Sequence, residues 1–355
     1  MIDSWDRLSS WLQRQGLAAV LVTNRTNVRY FSGFAGTAGV LVVGTDERKL
    51  FVDSRYVEQA KKMAPAFEIV QSRGNPLEAA ADFLQSQSWL SIGFEEESLT
   101  VAEYRRLQLK VAADRWRPVQ LEPLRTIKTA AELDKIAVAA TIADGALAKL
   151  LPLIRPGATE KELAASLEYE MRKLGSEKPS FETILASGPR SALPHGAASD
   201  RRLERGDFIV IDFGATYEGY RSDITRTVCV GQASERQRTI YATVLAAQLA
   251  GLSAVRSGAL CRDVDKAGRQ VIEAAGLGAQ FGHGLGHGVG LDIHENPRLS
   301  PAVGDAALVT GMVVTVEPGV YLPDWGGVRI EDLVAVTEAG CRILSRTPKD
   351  LLELT

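Results

Sequence analysis

Short apolar runs alternate with longer stretches of helical periodicity along the first third of the chain. The runs Leu17–Val22, Val40–Val43, Leu50–Val52 and Glu68–Val70 have strand character, and the segments between them read as helices, which predicts an α/β N-terminal domain. Thr100 and Glu103, three apart ahead of YRRLQLKVAA, have the spacing of a capping box and open one of those helices. Glu122–Lys128 reads as a link to a second domain, which places the domains at 1–124 and 125–355. Beyond the link, Thr129 with Glu132 caps a long helix whose apolar face runs through Leu133, Ile136, Ala140 and Leu147, and Pro156-Gly157 stops it. Thr159 with Glu162 and Ser234 with Gln237 open two more.

The second half also carries strands, and these bring carboxylates. Phe208–Gly214 (FIVIDFG) alternates as a strand does, which puts Asp212 on the face of Phe208 and Val210. Past the turn-like Thr216-Tyr217-Glu218-Gly219, a second strand begins at Asp223 and continues ITRTVCV, so the two form a hairpin in which Asp223 faces Asp212. The arrangement recurs near the end of the chain. A strand Met312–Glu317 stops at Pro318-Gly319, and Val328–Val336 presents Arg329 and Glu331 on one face. Four carboxylates brought together would repel one another and lose their hydration, at a cost of several kcal/mol, so cations must compensate them if they converge.

Histidine usage favours convergence. The chain has 4 histidines, all between His195 and His294, and His283, His287 and His294 fall inside HGLGHGVGLDIHE. The glycines of that segment let its backbone approach a ligand closely. Their spacing does not match GxGxxG, so nothing supports a dinucleotide site. Taken singly, each residue has an ordinary structural reading as a strand end, a turn residue or a surface ion pair. Their joint occurrence in this order is what points to chemistry.

Composition narrows the classes. A formal net charge of −3 offers no basic field to nucleic acid or to an anionic membrane. The 3 cysteines, Cys229, Cys261 and Cys341, form no CxxC pair, so they read as inert packing residues of a protein in a reducing cytoplasm. The N-terminus lacks the basic start and apolar run of a signal peptide, and no segment approaches the roughly 18 apolar residues that a membrane span needs.

Five motifs carry a resemblance: PHGAASD from 194, VIDFGATYEGYRSDITRT from 210, GHGLGHGVGLDIHE from 282, TVEPGVY from 315 and VRIED from 328. In them the chain resembles the metallopeptidases of the methionine aminopeptidase, prolidase and aminopeptidase P group. The resemblance implies an α/β (α+β) protein with a pita-bread catalytic domain. TNVRYFSGFAGTAGVLVV and FVDSRYVEQA are similar to the smaller creatinase/prolidase-type N-terminal domain, which methionine aminopeptidases lack, and this shifts the expectation toward Xaa-Pro peptidases.

By motif, Asp212 resembles the bidentate ligand of one metal, Asp223 and Glu331 the bridging carboxylates, and His287 the imidazole ligand, while Glu317 resembles a ligand of the second metal that also shuttles a proton. His195, His283 and His294 resemble histidines that hold substrate and stabilise the tetrahedral intermediate, and Arg329 the partner of the bridging carboxylates. All five ligand types are present, which counts against a binding module of the same fold that has lost its metals. An oxygen-rich set with one imidazole suits two divalent ions, Mn²⁺ first, with Co²⁺ or Zn²⁺ accepted. The implied enzyme is an aminopeptidase P, releasing the residue before proline from peptides, with a prolidase restricted to dipeptides as the alternative. A proline-containing peptide is the expected partner, and the resemblance implies a homodimer.

Overall fold

Neighbouring residues of a strand face opposite ways, so a strand that is apolar at every position must be covered on both sides. That condition shapes the first unit. The computed structural model describes residues 4–354, and the chain divides into two units, Met1–Arg125 and Thr126–Thr355. In the first, α1 (Ser4–Gln15), β1 (Ala19–Val22), α2 (Arg25–Ser32), β2 (Val40–Gly44), β3 (Arg48–Val52), α3 (Val57–Met63), β4 (Glu68–Gln71), α4 (Pro76–Ser86), β5 (Ile92–Glu95), α5 (Val101–Lys110) and β6 (Trp116–Val119) follow in sequence. The strands form one mixed sheet in the order β4-β3-β2-β1-β5-β6. Val20, Val22, Leu41, Val43, Leu50 and Val52 pack with Leu8, Val28 and Phe31 of the helices on one face. Their neighbours Leu21, Val42 and Phe51 pack with Leu77, Leu84 and Leu107 on the other.

The four expected apolar runs are β1 to β4. β5 and β6 escaped notice because each has only 4 residues and contains a residue atypical of strands, Gly93 or Pro118. Pro118 is tolerated because β6 lies at the edge of the sheet.

The helical turn α6 (Pro123–Thr126) comes next, and the second unit then runs through two similar sequences of elements. In the first, α7 (Ala130–Leu150) and α8 (Glu160–Lys173) precede β7 (Ile184–Ser187), β8 (Phe208–Phe213), the small hairpin β9 (Thr216–Tyr217) and β10 (Tyr220–Arg221), and β11 (Ile224–Val230). In the second, α9 (Glu235–Ala254) and α10 (Cys261–Ala274) precede β12 (Gly286–Gly288), β13 (Glu295–Leu299), β14 (Val313–Val316), β15 (Gly319–Leu322), β16 (Gly326–Arg329), β17 (Asp332–Val336) and β18 (Cys341–Ile343), and β19 (Glu353–Leu354) ends the chain's structure. Two sheets result, ordered β19-β11-β8-β7 and β13-β12-β14-β17-β18, with β15-β16 as a separate ribbon. Ile209, Ile211 and Phe213 pack against α7 and α8. Val314, Val316, Val334 and Val336 pack against α9 and α10, together with Phe208 and Cys229 from the first sheet.

Capping boxes open α5, α7, α8 and α9 at the four expected residue pairs. Three expectations need correction. Residues Val328–Val336 form two strands, β16 and β17, broken at Ile330-Glu331, because β15 and β14 pair with them separately. α7 ends at Leu150 ahead of Pro156, since Pro152 lacks the amide that a further helical turn would need. Finally, Ala130–Leu153 is long and apolar enough to cross a membrane by length and composition. Its Ile136, Ala139, Ile142, Ala143, Ala146, Leu147 and Leu150 are buried inside the unit, as befits a core helix.

Candidate metal centre

The two sheets meet where their ladders end in acids. In the β8–β11 pair Asp212 stands opposite Thr225, so Asp223, two residues before Thr225 and just ahead of the strand, is its diagonal neighbour on the same face. In the β14–β17 pair Val316 stands opposite Asp332, and the next step brings Glu317 and Glu331 side by side. The amide of Glu331 donates to Thr225 O at 3.1 Å, which joins the two sheets at this point, and that of Glu317 donates to Leu285 O at 2.8 Å within the second sheet. His287 comes from β12, with its amide on Thr315 Oγ1 at 3.0 Å. All nine residues singled out in the sequence, His195, Asp212, Asp223, His283, His287, His294, Glu317, Arg329 and Glu331, line one cavity of about 880 Å³.

The glycines around His287 do something other than admit a ligand. A Cβ on Gly286 would lie 2.0 Å from Thr315 O and one on Gly288 2.3 Å from Asn296 O. The backbone they expose is approached by neighbouring chain.

Asp223 and Glu331 are buried, Asp212 and Glu317 half-buried, and all four are short of donors. Carboxylate oxygens of Asp212, Asp223 and Glu331 lie within 4.8 Å of one another. Arg329, 2% exposed, donates from Nη2 to Asp212 Oδ2 at 2.5 Å and from Nε to Thr225 Oγ1 at 3.1 Å. Thr225 and Thr315 hydroxyls donate to Glu331 at 2.7 Å and Glu317 at 3.0 Å. Asp212 Oδ1 is buried with no hydrogen-bond partner. Four carboxylates against one guanidinium leave three negative charges uncompensated. Burial, then the neighbouring carboxylates, push the Asp223 and Glu331 carboxyls well above the usual range, and burial pushes Glu317 up to about 7.

Imidazole geometry completes the test. His287 donates from Nδ1 to Gly288 O at 3.0 Å, which assigns its free lone pair to Nε2. Nε2 faces Glu317 Oε1 at 3.3 Å and Asp223 Oδ2 at 3.5 Å. Burial lowers the His287 pKa to about 3, so the ring is neutral and its lone pair is aimed at carboxylate oxygens. Lone pairs facing lone pairs, an orphaned oxygen and an excess of negative charge are what divalent cations bound among these five residues would resolve.

His283 is placed differently from the expectation that it holds substrate. Tyr321, buried and pushed up to about 12 by that burial, receives Arg329 Nη1–H at 2.7 Å and hands its own proton to His283 Nε2 at 3.0 Å. His283 Nδ1–H donates to Gly284 O at 2.8 Å. Both nitrogens are engaged, and burial lowers the ring's pKa to about 4, which makes His283 a fixed neutral partner of Tyr321 and Arg329. His195 and His294 are exposed and make no side-chain hydrogen bond among the described residues.

Sequence reasoning missed other members of the site. Arg298, opposite His287 in the β12–β13 pair, lines the cavity with a guanidinium that makes no hydrogen bond or ion pair among the described residues. Arg226 donates to the backbone oxygen of Glu331 and to Asp332 Oδ1 at 2.8 Å, and Asp332 Oδ2 receives Gln248 at 2.9 Å and Lys349 at 2.6 Å. The alternation of ITRTVCV locates Arg226 on a strand. No local signal shows that its partner lies beyond residue 330.

This geometry fits divalent cations, and comparison gives the chain a family. Residues 134–338 match metallopeptidase family M24, and residues 5–127 match the creatinase/prolidase N-terminal domain. The chain belongs to metallopeptidase family M24 and is a metallo-exopeptidase that depends on divalent metal ions, with a creatinase/prolidase-type domain followed in sequence by a pita-bread domain. It is 40% identical over 355 residues to the Xaa-Pro dipeptidase of Pyrococcus furiosus, covering 99% of this chain and 100% of that one. The solved Xaa-Pro dipeptidase from Bacillus anthracis superposes with a TM-score of 0.94 at 43% identity, covering 99% of both chains. The X-Pro aminopeptidase from Thermotoga maritima does so with a TM-score of 0.93 at 39% identity, again over 99% of both.

Proposed function

We propose that this chain is a prolidase, hydrolysing Xaa-Pro dipeptides with two divalent ions, Mn²⁺ first, held by Asp212, Asp223, His287, Glu317 and Glu331. The relatives named Xaa-Pro dipeptidase favour this reading over the aminopeptidase P reading that the sequence put first. The observation that carries it within the molecule is the presence, in one cavity, of the donor-poor acid cage and the unpaired guanidinium of Arg298. A dipeptide ends in a carboxylate immediately after the scissile bond, and a free guanidinium beside the cage suits that carboxylate. A longer peptide has none at that position.

Divalent cations held by these five residues would supply Lewis acidity and lower the pKa of a water toward roughly 7. The chain's own residues do the rest. His195 and His294, which make no side-chain hydrogen bond among the described residues, hydrogen-bond the substrate and the oxygen of its scissile carbonyl. Arg329 holds Asp212 in place, and is itself oriented by Tyr321 and Thr225. As a water oxygen adds to the scissile carbonyl, Glu317 takes its proton and delivers it to the proline nitrogen, which carries no hydrogen of its own and must gain one for the C–N bond to break.

Incubation of the Mn²⁺-loaded protein with Ala-Pro and Ala-Pro-Ala, with products identified by mass spectrometry, tests the reading. The expected result is Ala and Pro from the dipeptide and an intact tripeptide. Release of Ala from the tripeptide would select the aminopeptidase reading, which the likeness to the Thermotoga maritima X-Pro aminopeptidase keeps in play. Arg298→Met is expected to lower kcat/KM for Ala-Pro by about tenfold to a hundredfold, the worth of a charge-assisted hydrogen bond, while sparing Ala-Pro-amide.

A further inference from the structure

Lys128 and Glu295 form an ion pair of 2.9 Å in which each side chain is 1% exposed. The other oxygen of Glu295 accepts the Asp292 amide at 2.9 Å, and the Gly290 amide donates to Asp292 O at 3.0 Å. Gly290 lies flat on the carboxylate, for a Cβ there would stand 2.6 Å from Oε2. Arg221 grips the outer side of the same turn, its amide donating to Gly290 O at 2.8 Å and its Nε to Leu291 O at 3.0 Å. Lys128 is anchored by its own amide on Gly311 O at 2.9 Å.

The turn that closes on Glu295 carries His294 as the next residue, with its ring edge-on to that of His287 at 4.5 Å between centroids. No side-chain hydrogen bond among the described residues holds His294 there, so the backbone of the turn sets its position. A buried ion pair is weak evidence for stability, because apolar residues of similar volume often serve as well or better. The geometry it imposes is the better account of its presence beside this histidine.

We propose that Lys128 and Glu295 are positioning residues that set His294 over the metal cage, a role resting on the contact to the scissile carbonyl oxygen given to His294 above. The test uses metal-loaded full chain and Ala-Pro turnover, with metal content and circular dichroism recorded for each variant. Lys128→Met should lower kcat by about a hundredfold, the effect of misplacing a catalytic group by about an ångström, with KM and metal content within about twofold. Lys128→Arg, which restores the charge, should recover most of the loss. In a His294→Ala background the same Lys128→Met change should cost less than about threefold more, since two residues acting through one step are not additive.

Equal losses in both backgrounds would overturn the positioning proposal alone, whereas an unchanged kcat in His294→Ala would overturn the role of His294 and the proposal with it. If Lys128→Met does not fold, the double variant Lys128→Met/Glu295→Gln leaves no lone buried charge and decides the matter. Folded with lowered kcat it supports the proposal, and folded with full kcat it refutes it.

Discussion

Glu160, in the first turn of α8, is as deeply buried as Asp223 and Glu331, yet it is furnished in the opposite way. It accepts from the amide and hydroxyl of Ser187, both at 2.7 Å, from the amide and hydroxyl of Ser199 at 2.9 and 2.6 Å, and from Arg190. Those donors tie both ends of the loop that carries His195. Glu295, with Lys128 and the Asp292 amide, is supplied in the same manner. In the cage, Asp223 accepts no hydrogen bond among the described residues, Asp212 leaves an oxygen orphaned, and Arg329 serves the cluster with one charge. A buried acid with its own donors is a structural element, whereas a cluster of acids short of donors is what the proposed cations would compensate.

The contrast can be broken by experiment. Asp223→Ala should remove most bound metal and lower turnover by roughly a thousandfold or more, as loss of one member of a catalytic unit does; near-normal rate with intact metal content would end the two-metal reading. In the metal-free protein the stability effects should then diverge. Glu160→Gln should cost about 3 kcal/mol in urea unfolding, since it breaks a buried charge network, while Asp223→Asn should be neutral or stabilising because it removes repulsion. Matching losses in the two variants would erase the distinction.

The smallest effect is in pH. Glu317 is raised from its ordinary value to about 7, with Asp223 and Glu331 raised as well, so above the unfolded carboxylate range the metal-free native state holds more protons than the unfolded chain and loses stability as pH rises. His283 and His287 have lowered values, and their contribution runs the other way, falling as pH drops below 6.5. Above about pH 7.5 the unfolded imidazoles have also lost their protons, and only the raised carboxyls act. Metal-free protein should therefore lose on the order of 1 kcal/mol as pH rises from about 7.5 to 8.5, read as a falling thermal midpoint that added Mn²⁺ abolishes. A rising midpoint would mean that the acids are already compensated.

Much of this was legible along the chain because it is local. Each capping box closes within four residues, so Thr100, Thr129, Thr159 and Ser234 announced their helices whatever lay around them. Strand alternation put Asp212 on its face, opposite in direction to Ile211 and Phe213. What misled was also local: Val328–Val336 reads as one strand, and only its two separate partners break it at Glu331.

Residue types and their order settled the inventory: two hairpins with acids, a glycine-spaced histidine run, capped helices, and a family's motifs. Tertiary structure settled the company each residue keeps. It left Arg298 unpaired among the described residues, gave His283 to Tyr321, joined Lys128 to Glu295 across 167 positions, and supplied the cage with fewer donors than Glu160 received. A side chain's identity and period are properties of a few neighbouring residues. Its desolvation and its hydrogen-bond partners depend on segments that meet only when the chain folds, and these decide whether a buried carboxylate is a strut or a ligand.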